Sequence, residues 1–327
     1  MENDSGYFIT SKNIFPSISQ LLDYYSKNNG LCCLLSRICP KMIPATEDLS
    51  KATRDKWEID RRTLTKIEIL GSGNFGEVWR GTWNSTRQVA IKLMKPGTMD
   101  KTTFLEEAAV MKKLRHPKLV RLYAVCSTEE PIYIVMEYIP HGCLQKYLKK
   151  DGGKKLTEPV LIDFAAQIAS GMQYVESKCI IHRDLAARNV LVADNNMLKI
   201  ADFGLSKSLK DNSIYVFKEG SKFPIKWTAI EAITSQNFSI KSDVWSFGIL
   251  LVELVTYGNT PYPGMTAAEV QLKLQGAFRH PKPPGCSDEL YEIMLQCWHA
   301  NPQKRPTFDS LFHILDDFII ATQNSYE

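Results

Sequence analysis

Between Ile181 and Gly204 two short apolar runs, Val190-Leu191-Val192 and Leu198-Lys199-Ile200, flank the turn-prone Asp194-Asn195-Asn196. Apolar triplets on either side of such a turn spell a β-hairpin. The open end of that hairpin brings Asn189, just before its first strand, beside Asp202, just after its second. An amide oxygen and a carboxylate then face one point in space, hard donors that leave room for water and suit Mg²⁺ carrying phosphates. Asp184 stands five residues before Asn189, close enough to act on a nearby hydroxyl. Taken singly, Asp184 and Asp202 read as turn residues and His182 as a satisfied core histidine. Three polar residues at fixed spacing around one hairpin instead point to a metal and base site.

The rest of the chain bounds what can surround that hairpin. Its 327 residues allow a substantial core and one large or two ordinary domains. Basic and acidic residues are interspersed, 40 against 36, so no nucleic-acid partner is expected. Eight cysteines without a C-x-x-C pair suggest neither a zinc site nor a secreted disulfide framework; they fit reduced thiols in the cytoplasm. The N-terminus MENDSGYF lacks a basic segment followed by an apolar one, so no signal peptide is expected, and Glu2 excludes N-myristoylation of the chain as written. The most apolar window, Val244 to Val255, is short and contains Glu253, which makes it a buried helix and not a membrane span.

From Leu64 the text is strand-like: LTKIEIL alternates, GSGNFG intervenes, then EVWRGTW and RQVAIK alternate again. A G-x-G-x-x-G of the dinucleotide type leads into a helix. Strand-type sequence follows here, which favours a hairpin lid in which Gly71, Gly73 and Gly76 let backbone amides approach an anion. Asp100 to Leu114 reads as a helix with Phe104, Ala108, Met111 and Leu114 on its apolar stripe, Glu107 inside the stripe and Glu106 outside it. An inward carboxylate needs a cation, and Lys92 is the candidate. Apolar-periodic segments at Val160–Val175, Ser242–Val255, Ala267–Gln275, Leu290–Trp298 and Phe308–Ile320 make the rear of the chain helical, with Asp243 as a natural N-terminal cap.

HRDLAARN (182–189) followed by ADFG (201–204) resembles the protein-kinase catalytic loop and its Asp-Phe-Gly metal motif. The resemblance implies an α+β bilobal protein-kinase fold, with a small, mainly antiparallel β front lobe over about 64–139 and a large helical rear lobe over about 140–317. It implies ATP with Mg²⁺, or Mn²⁺, as cofactors. Asp184 would accept the hydroxyl proton, Asn189 and Asp202 hold the metal, and Lys92, oriented by Glu107, meet the α and β phosphates. Around the nucleotide it implies Leu70, Gly71, Ser72, Gly73, Asn74, Phe75, Gly76, Glu77 and Val78 of the glycine loop, together with Ala90 and Leu191 as walls. Met136 would guard the back of the pocket, and the backbone of Glu137 and Ile139 would bond adenine. The counterpart of Asp243 braces the catalytic loop in kinases, and Arg305 matches the usual partner of Glu231.

Serine/threonine kinases place a lysine two residues after the catalytic aspartate, where this chain has Ala186; AAR and the later KFPIKWTAIEAI are of the tyrosine-kinase type, with Arg188 as the implied substrate-orienting group. The chain is similar to the Src family of non-receptor tyrosine kinases, departing from its R-A-A wording at 186–188 and from Ala-Pro-Glu at Ile230. GYFITSKNIF, LLDYYSK and GLCCLL resemble the C-terminal part of a Src-homology-2 domain. Residues 1–40 are assigned to it, 41–63 to a linker, 64–317 to the kinase domain and 318–327 to a tail. Ile9, Thr10, Tyr25, Gly30 and Leu31 would lie near the pocket for residues after a phosphotyrosine. No arginine precedes Arg37, so the phosphate pocket itself is missing, and phosphotyrosine peptides would bind only with that half restored. Tyr215 is the implied activating autophosphorylation site, its phosphate pairing with Arg183 and Lys207, and Tyr326 the implied inhibitory tail tyrosine. Expected partners are protein substrates with tyrosine, and the expected state is a cytoplasmic monomer whose full-length form can associate with membranes. The alternatives are an inactive kinase-like scaffold, opposed by the retained Lys92, Asp184, Asn189 and Asp202, and a phosphotyrosine-binding adaptor.

Overall fold

In a computed structural model the chain divides into two units, Met1–Lys56 and Trp57–Glu327. The structure describes residues 57–73, 76–94, 101–150, 155–208, 215–216 and 224–324 of the second unit. Of the first it describes 2–3, 6–7, 14–17, 20–21 and 24. In that first unit Glu2–Asn3 pairs antiparallel with Gly6–Tyr7, Leu21 is buried, and the rings of Phe15 and Tyr24 meet at 5.2 Å. The residues expected near a peptide pocket, Ile9, Thr10, Tyr25, Gly30 and Leu31, lie outside the described residues, as do Lys207's side chain and Tyr326.

The second unit opens on an antiparallel sheet. Its strands are β1 (Leu64–Gly73), β2 (Gly76–Trp83), β3 (Arg87–Met94), β4 (Leu122–Cys126) and β5 (Tyr133–Glu137), in the order β1-β2-β3-β5-β4. In the central strand β3 Val89 and Ile91 are fully buried, and Lys92 follows them as the charged residue within the apolar run Val89–Met94. Helix α1 (Lys101–Met111) lies in the chain between β3 and β4. As the helical wheel predicts, Glu107, Ala108, Met111 and Leu114 are buried and Glu106 is exposed, although Leu114 falls in the turn after the helix.

Residues 57–63, read from the sequence as linker, are tied to this unit. Val125 N–H donates to Trp57 O and Ile59 N–H to Val125 O, which lays the segment parallel to β4. The Glu58 carboxylate accepts from the backbone and hydroxyls of both Ser127 and Thr128. Its pKa is lowered, because those four bonds outweigh the burial that would raise it.

The rest is mainly helical: α2 (Leu144–Lys149), α3 (Glu158–Ser177), α4 (Ile230–Thr234), α5 (Ile240–Val255), α6 (Ala267–Gln275), α7 (Asp288–Cys297) and α8 (Phe308–Asn324). Helix α5 is buried all round from Ser242 to Leu254 and mostly apolar, as suits a helix at the centre of a lobe, and α3 and α8 lie against each other beside it. The sequence reading makes Asp243 the cap of α5. The cap is Ser239, whose hydroxyl accepts from Lys241 N–H while Ser242 Oγ accepts from Ser239 N–H. Asp243 lies one turn in, where its carboxylate is free for another task. Glu231 and Arg305 pair bidentately at 2.6 and 2.8 Å, with Arg305 buried. No helix among the described residues is long and apolar enough to cross a membrane.

Candidate active site

The hairpin forms with the expected register. Strand β6 (Val190–Val192) pairs antiparallel with β7 (Leu198–Ile200), Val190 opposite Ile200 and Val192 opposite Leu198. Asn195 and Asn196 take positive φ (55° and 57°), the backbone region that asparagine tolerates best after glycine. At the open end Ala201 N–H donates to Asn189 O at 2.8 Å, so Asn189 and Asp202 come together and line one cavity of about 490 Å³.

Asp202 sits in left-handed backbone (φ 61°), which turns its carboxylate toward β3. Lys92 Nζ reaches both Glu107 oxygens at 2.8 and 2.7 Å and Asp202 Oδ1 at 3.1 Å. Lys92 and Glu107 side chains are 13% and 4% exposed, Asp202 is 47% exposed, and the exposed member of the triad is the one open to a ligand. Burial alone would lower the lysine's pKa, but the two carboxylates outweigh it and raise it. Lys92 correspondingly holds Asp202 below the usual carboxylate range.

Asp184 is held from three sides. Asn189 Nδ2 donates to Asp184 O and to its Oδ2, both at 2.7 Å, and Arg188 Nη2 forms a close ion pair with its Oδ1. Burial raises the Asp184 pKa, with Arg188 opposing. Because Asn189 gives its amide nitrogen to Asp184, its amide oxygen is the atom left for a cation. The loop ahead is pinned from below: Asp243 Oδ2 accepts from His182 N–H at 2.7 Å and Oδ1 from Arg183 N–H at 2.8 Å, with Arg183 at φ 68°. His182, fully buried, bonds Ala201 O through Nε2 at 3.1 Å and meets the Phe203 ring at 4.9 Å. It is a core histidine that ties the loop to the segment carrying Asp202.

Of the residues expected around a nucleotide, Leu70, Gly71, Val78, Ala90, Met136, Glu137, Ile139 and Leu191 line the cavity. Gly71 leaves open space where a Cβ would stand, so a ligand can reach its backbone. Ser72, Gly73, Gly76 and Glu77 do not line it; they pair with one another toward the tip of the β1–β2 hairpin, and Glu77 accepts from Trp79 Nε1 at 3.0 Å. Asn74 and Phe75 at the tip lie outside the described residues. Glu137 gives its N–H to Arg121 O at 2.9 Å. The sequence reading missed Val120, Ala201 and Cys143 on the cavity wall. Ala201 could have been found, since it adjoins Asp202; Val120 is brought in by its N–H bond to Ile200 O, a pairing across 80 residues that no local pattern announces.

Among the described residues no three His, Cys, Asp or Glu side chains form a self-sufficient metal cage. Two hard oxygen donors, Asn189 and Asp202, facing an open cavity fit a divalent ion that draws its other ligands from phosphates and water.

A two-lobed fold, with a lysine–glutamate pair above the cavity and an aspartate, asparagine and second aspartate around one hairpin below it, defines a protein kinase. Residues 64–315 match the family model for the protein tyrosine and serine/threonine kinase. The chain is 52% identical, over 99% of its length, to the human tyrosine-protein kinase FRK, and 50% identical over its whole length to the tyrosine protein-kinase src-1 of Caenorhabditis elegans. It spans 65% and 62% of the lengths of those two relatives. The chain belongs to the protein tyrosine and serine/threonine kinase family. Membership implies use of ATP and a divalent metal.

Proposed function

We propose that this chain is an ATP-dependent protein-tyrosine kinase that transfers the γ-phosphoryl group to tyrosine hydroxyls of protein substrates in intracellular signalling. The observation behind this reading is the convergence of Lys92, Asn189 and Asp202 on one cavity, with Asp184 just outside its lining and bonded to Asn189. Asp184 orients the substrate hydroxyl and accepts its proton. Burial raises its pKa, and the neighbouring Arg188 opposes that rise. Arg188, stacked over the Trp227 ring at 4.4 Å, orients the tyrosine-bearing segment. Lys92, braced by Glu107, and the backbone at Gly71 position the phosphates, while Leu70, Val78, Ala90 and Leu191 enclose the adenine ring. Mg²⁺, or Mn²⁺, would be held by Asn189 and Asp202, and when bound it neutralises the charge of the phosphates. Catalysis then rests on placement and charge neutralisation, as a loose phosphoryl-transfer transition state requires.

The segment after Asp202 supports regulation through Tyr215. Its strand, Tyr215–Val216, pairs antiparallel with Asn237–Phe238, Tyr215 opposite Phe238, and the Arg183 guanidinium lies 5.6 Å from the Phe238 ring. A phosphate on Tyr215 would be recruited by Arg183 and Lys207 and order the segment. Phosphotyrosine-peptide binding through a Src-homology-2 unit, the tail role of Tyr326, a monomeric state and a cytoplasmic location belong to the same reading. The test is incubation with Mg-ATP and a tyrosine-only polymer beside an Asp184→Asn control. Phosphotyrosine above the control is expected; none would overturn the enzyme reading, and serine labelling of a mixed peptide would overturn the tyrosine assignment.

A further inference from the structure

Glu253 stands in the last turns of α5, fully buried in the most apolar segment of the chain, and the mechanism above makes no use of it. Its Oε2 accepts two hydrogen bonds that begin on different segments. One comes from Ala187 N–H at 2.8 Å, in the loop between Asp184 and Arg188; the other comes from Trp227 Nε1 at 2.9 Å. Oε1 is buried and has no hydrogen-bond partner among the described residues. Burial raises the pKa of this carboxyl, against the two bonds and Arg188.

A buried carboxylate on a core helix is costly, and an apolar side chain would suit the helix better. What it provides here is a single acceptor that fixes the indole of Trp227 relative to the backbone of Ala187. The guanidinium of the next residue, Arg188, lies over that indole at 4.4 Å and reaches the Asp184 carboxylate. Two long-range bonds to one oxygen thus set the distance between an aromatic shelf and the residue that rests on it. Trp227 belongs to a three-residue turn, Ile225–Trp227, and its indole nitrogen has no other hydrogen bond among the described residues. Without Glu253 the ring keeps its packing but loses the bond that fixes its rotation.

We propose that Glu253 is a positioning residue for substrate recognition: by accepting from Trp227 Nε1 and Ala187 N–H together, it holds the shelf that orients Arg188 toward the tyrosine-bearing segment. The inference rests on the tyrosine-kinase reading of the site. It assigns Glu253 an effect on peptide binding and none on nucleotide binding, since Lys92, Glu107 and the cavity walls are untouched.

The experiment compares the full chain with Glu253→Met, Glu253→Gln and Trp227→Phe, measuring peptide KM, kcat, nucleotide affinity with a fluorescent ATP analogue, and thermal unfolding. Glu253→Met and Trp227→Phe each remove the indole bond and should raise peptide KM roughly 10-fold, the scale of one hydrogen bond to a charged group. Nucleotide affinity should stay within twofold. The double variant should be no worse than the poorer single one, because both break the same link. Glu253→Gln keeps an amide oxygen for both donors and should restore peptide KM to within about threefold of the parent, a rescue expected of an acceptor-only role. If Glu253→Met lowers kcat in proportion to lost folded protein with peptide KM unchanged, Glu253 is only structural and the inference fails. A Trp227→Phe enzyme with parental peptide KM overturns it without any demand on the stability of Glu253→Met, and a Glu253→Gln enzyme as impaired as Glu253→Met overturns the acceptor role. An unmodified chain that labels no tyrosine refutes the kinase reading itself, a result distinct from these.

Discussion

Asp243 offers the most quantitative test of how the loop bearing Asp184 is held. It is 1% exposed, and its two oxygens accept one backbone N–H each, from His182 at 2.7 Å and Arg183 at 2.8 Å. Asp243→Asn is nearly isosteric, but it converts one acceptor into a donor that faces another donor. One charge-assisted bond is lost and one N–H in the buried loop is left unpaired. Such a bond contributes about 1.5–3 kcal/mol. Burial, the largest influence on this carboxyl, pushes its pKa up against the two bonds, so its net contribution lies at the low end of that range. A loss of about 1.5 kcal/mol corresponds to roughly 3 °C in Tm for the unit Trp57–Glu327.

The functional consequence should exceed the thermal one. Arg183 sits at φ 68°, a left-handed conformation that a non-glycine residue holds only when its surroundings over-determine it. Freed from one acceptor, the His182–Arg183 step can relax, and with it the carboxylate of Asp184 next in the chain. Thermal unfolding followed by circular dichroism, with phosphorylation of a tyrosine peptide measured well below Tm, separates the two effects. The expected result is a Tm lowered by roughly 3 °C and a kcat lowered by more than the unfolded fraction explains. A Tm within 1 °C of the parent together with unchanged kcat would refute the reasoning, for it would mean that neither bond restrains the loop.

Three further outcomes follow from the same geometry. Glu107→Gln leaves Lys92 with Asp202 as its charged partner at 3.1 Å, so the lysine is drawn to the metal-facing carboxylate; ATP affinity and kcat should both drop, together by about 100-fold in kcat/KM, the equivalent of ~2.7 kcal/mol, and a change under threefold would contradict it. Because burial already raises the Asp184 pKa and Arg188 opposes that, Arg188→Gln should raise it further: kcat/KM falls as pH drops through this pKa, so the acid limb of the profile must move to higher pH, and a limb that moves lower or stays put would exclude Asp184 as the titrating base. The Cys126 and Cys297 thiols, both pushed up to about 12 by burial, should resist iodoacetamide at pH 8 in the native protein, while the exposed Cys179 is alkylated, as peptide mass mapping would record.

Those tests bear on residues that sequence reading reached with unequal success, and the reason is physical. The hairpin from Val190 to Ile200 was legible because a strand pair joined by the five residues 193–197 is a local event; everything needed to fold it lies within the segment. Glu107 was legible because helical periodicity reports which face is buried, and a carboxylate on that face demands a cation. Periodicity does not report which donor a buried acceptor meets. Asp243 and Glu253 lie 61 and 66 residues from the loop N–H groups they accept, at His182 and Ala187, and both sit in an apolar helix where pattern predicts no acid at all. Local pattern therefore made Asp243 a cap, the commonest use of an aspartate near a helix start, although Ser239 already fills that position; its bracing of the loop at His182 and Arg183 was expected only through the kinase resemblance. It used Glu253 only to argue against a membrane span. The same blindness put residues 57–63 in a linker: the bonds of Trp57 and Glu58 lead to Val125, Ser127 and Thr128 across a gap of about 70 residues. What an isolated sequence conceals here is one kind of contact, a polar group in a core or at a sheet edge whose partner is distant in the chain. In α5 two such groups, Asp243 and Glu253, hold the two ends of the loop that presents Asp184 and Arg188, so an acid that breaks a hydrophobic pattern marks where a core helix supports a polar site.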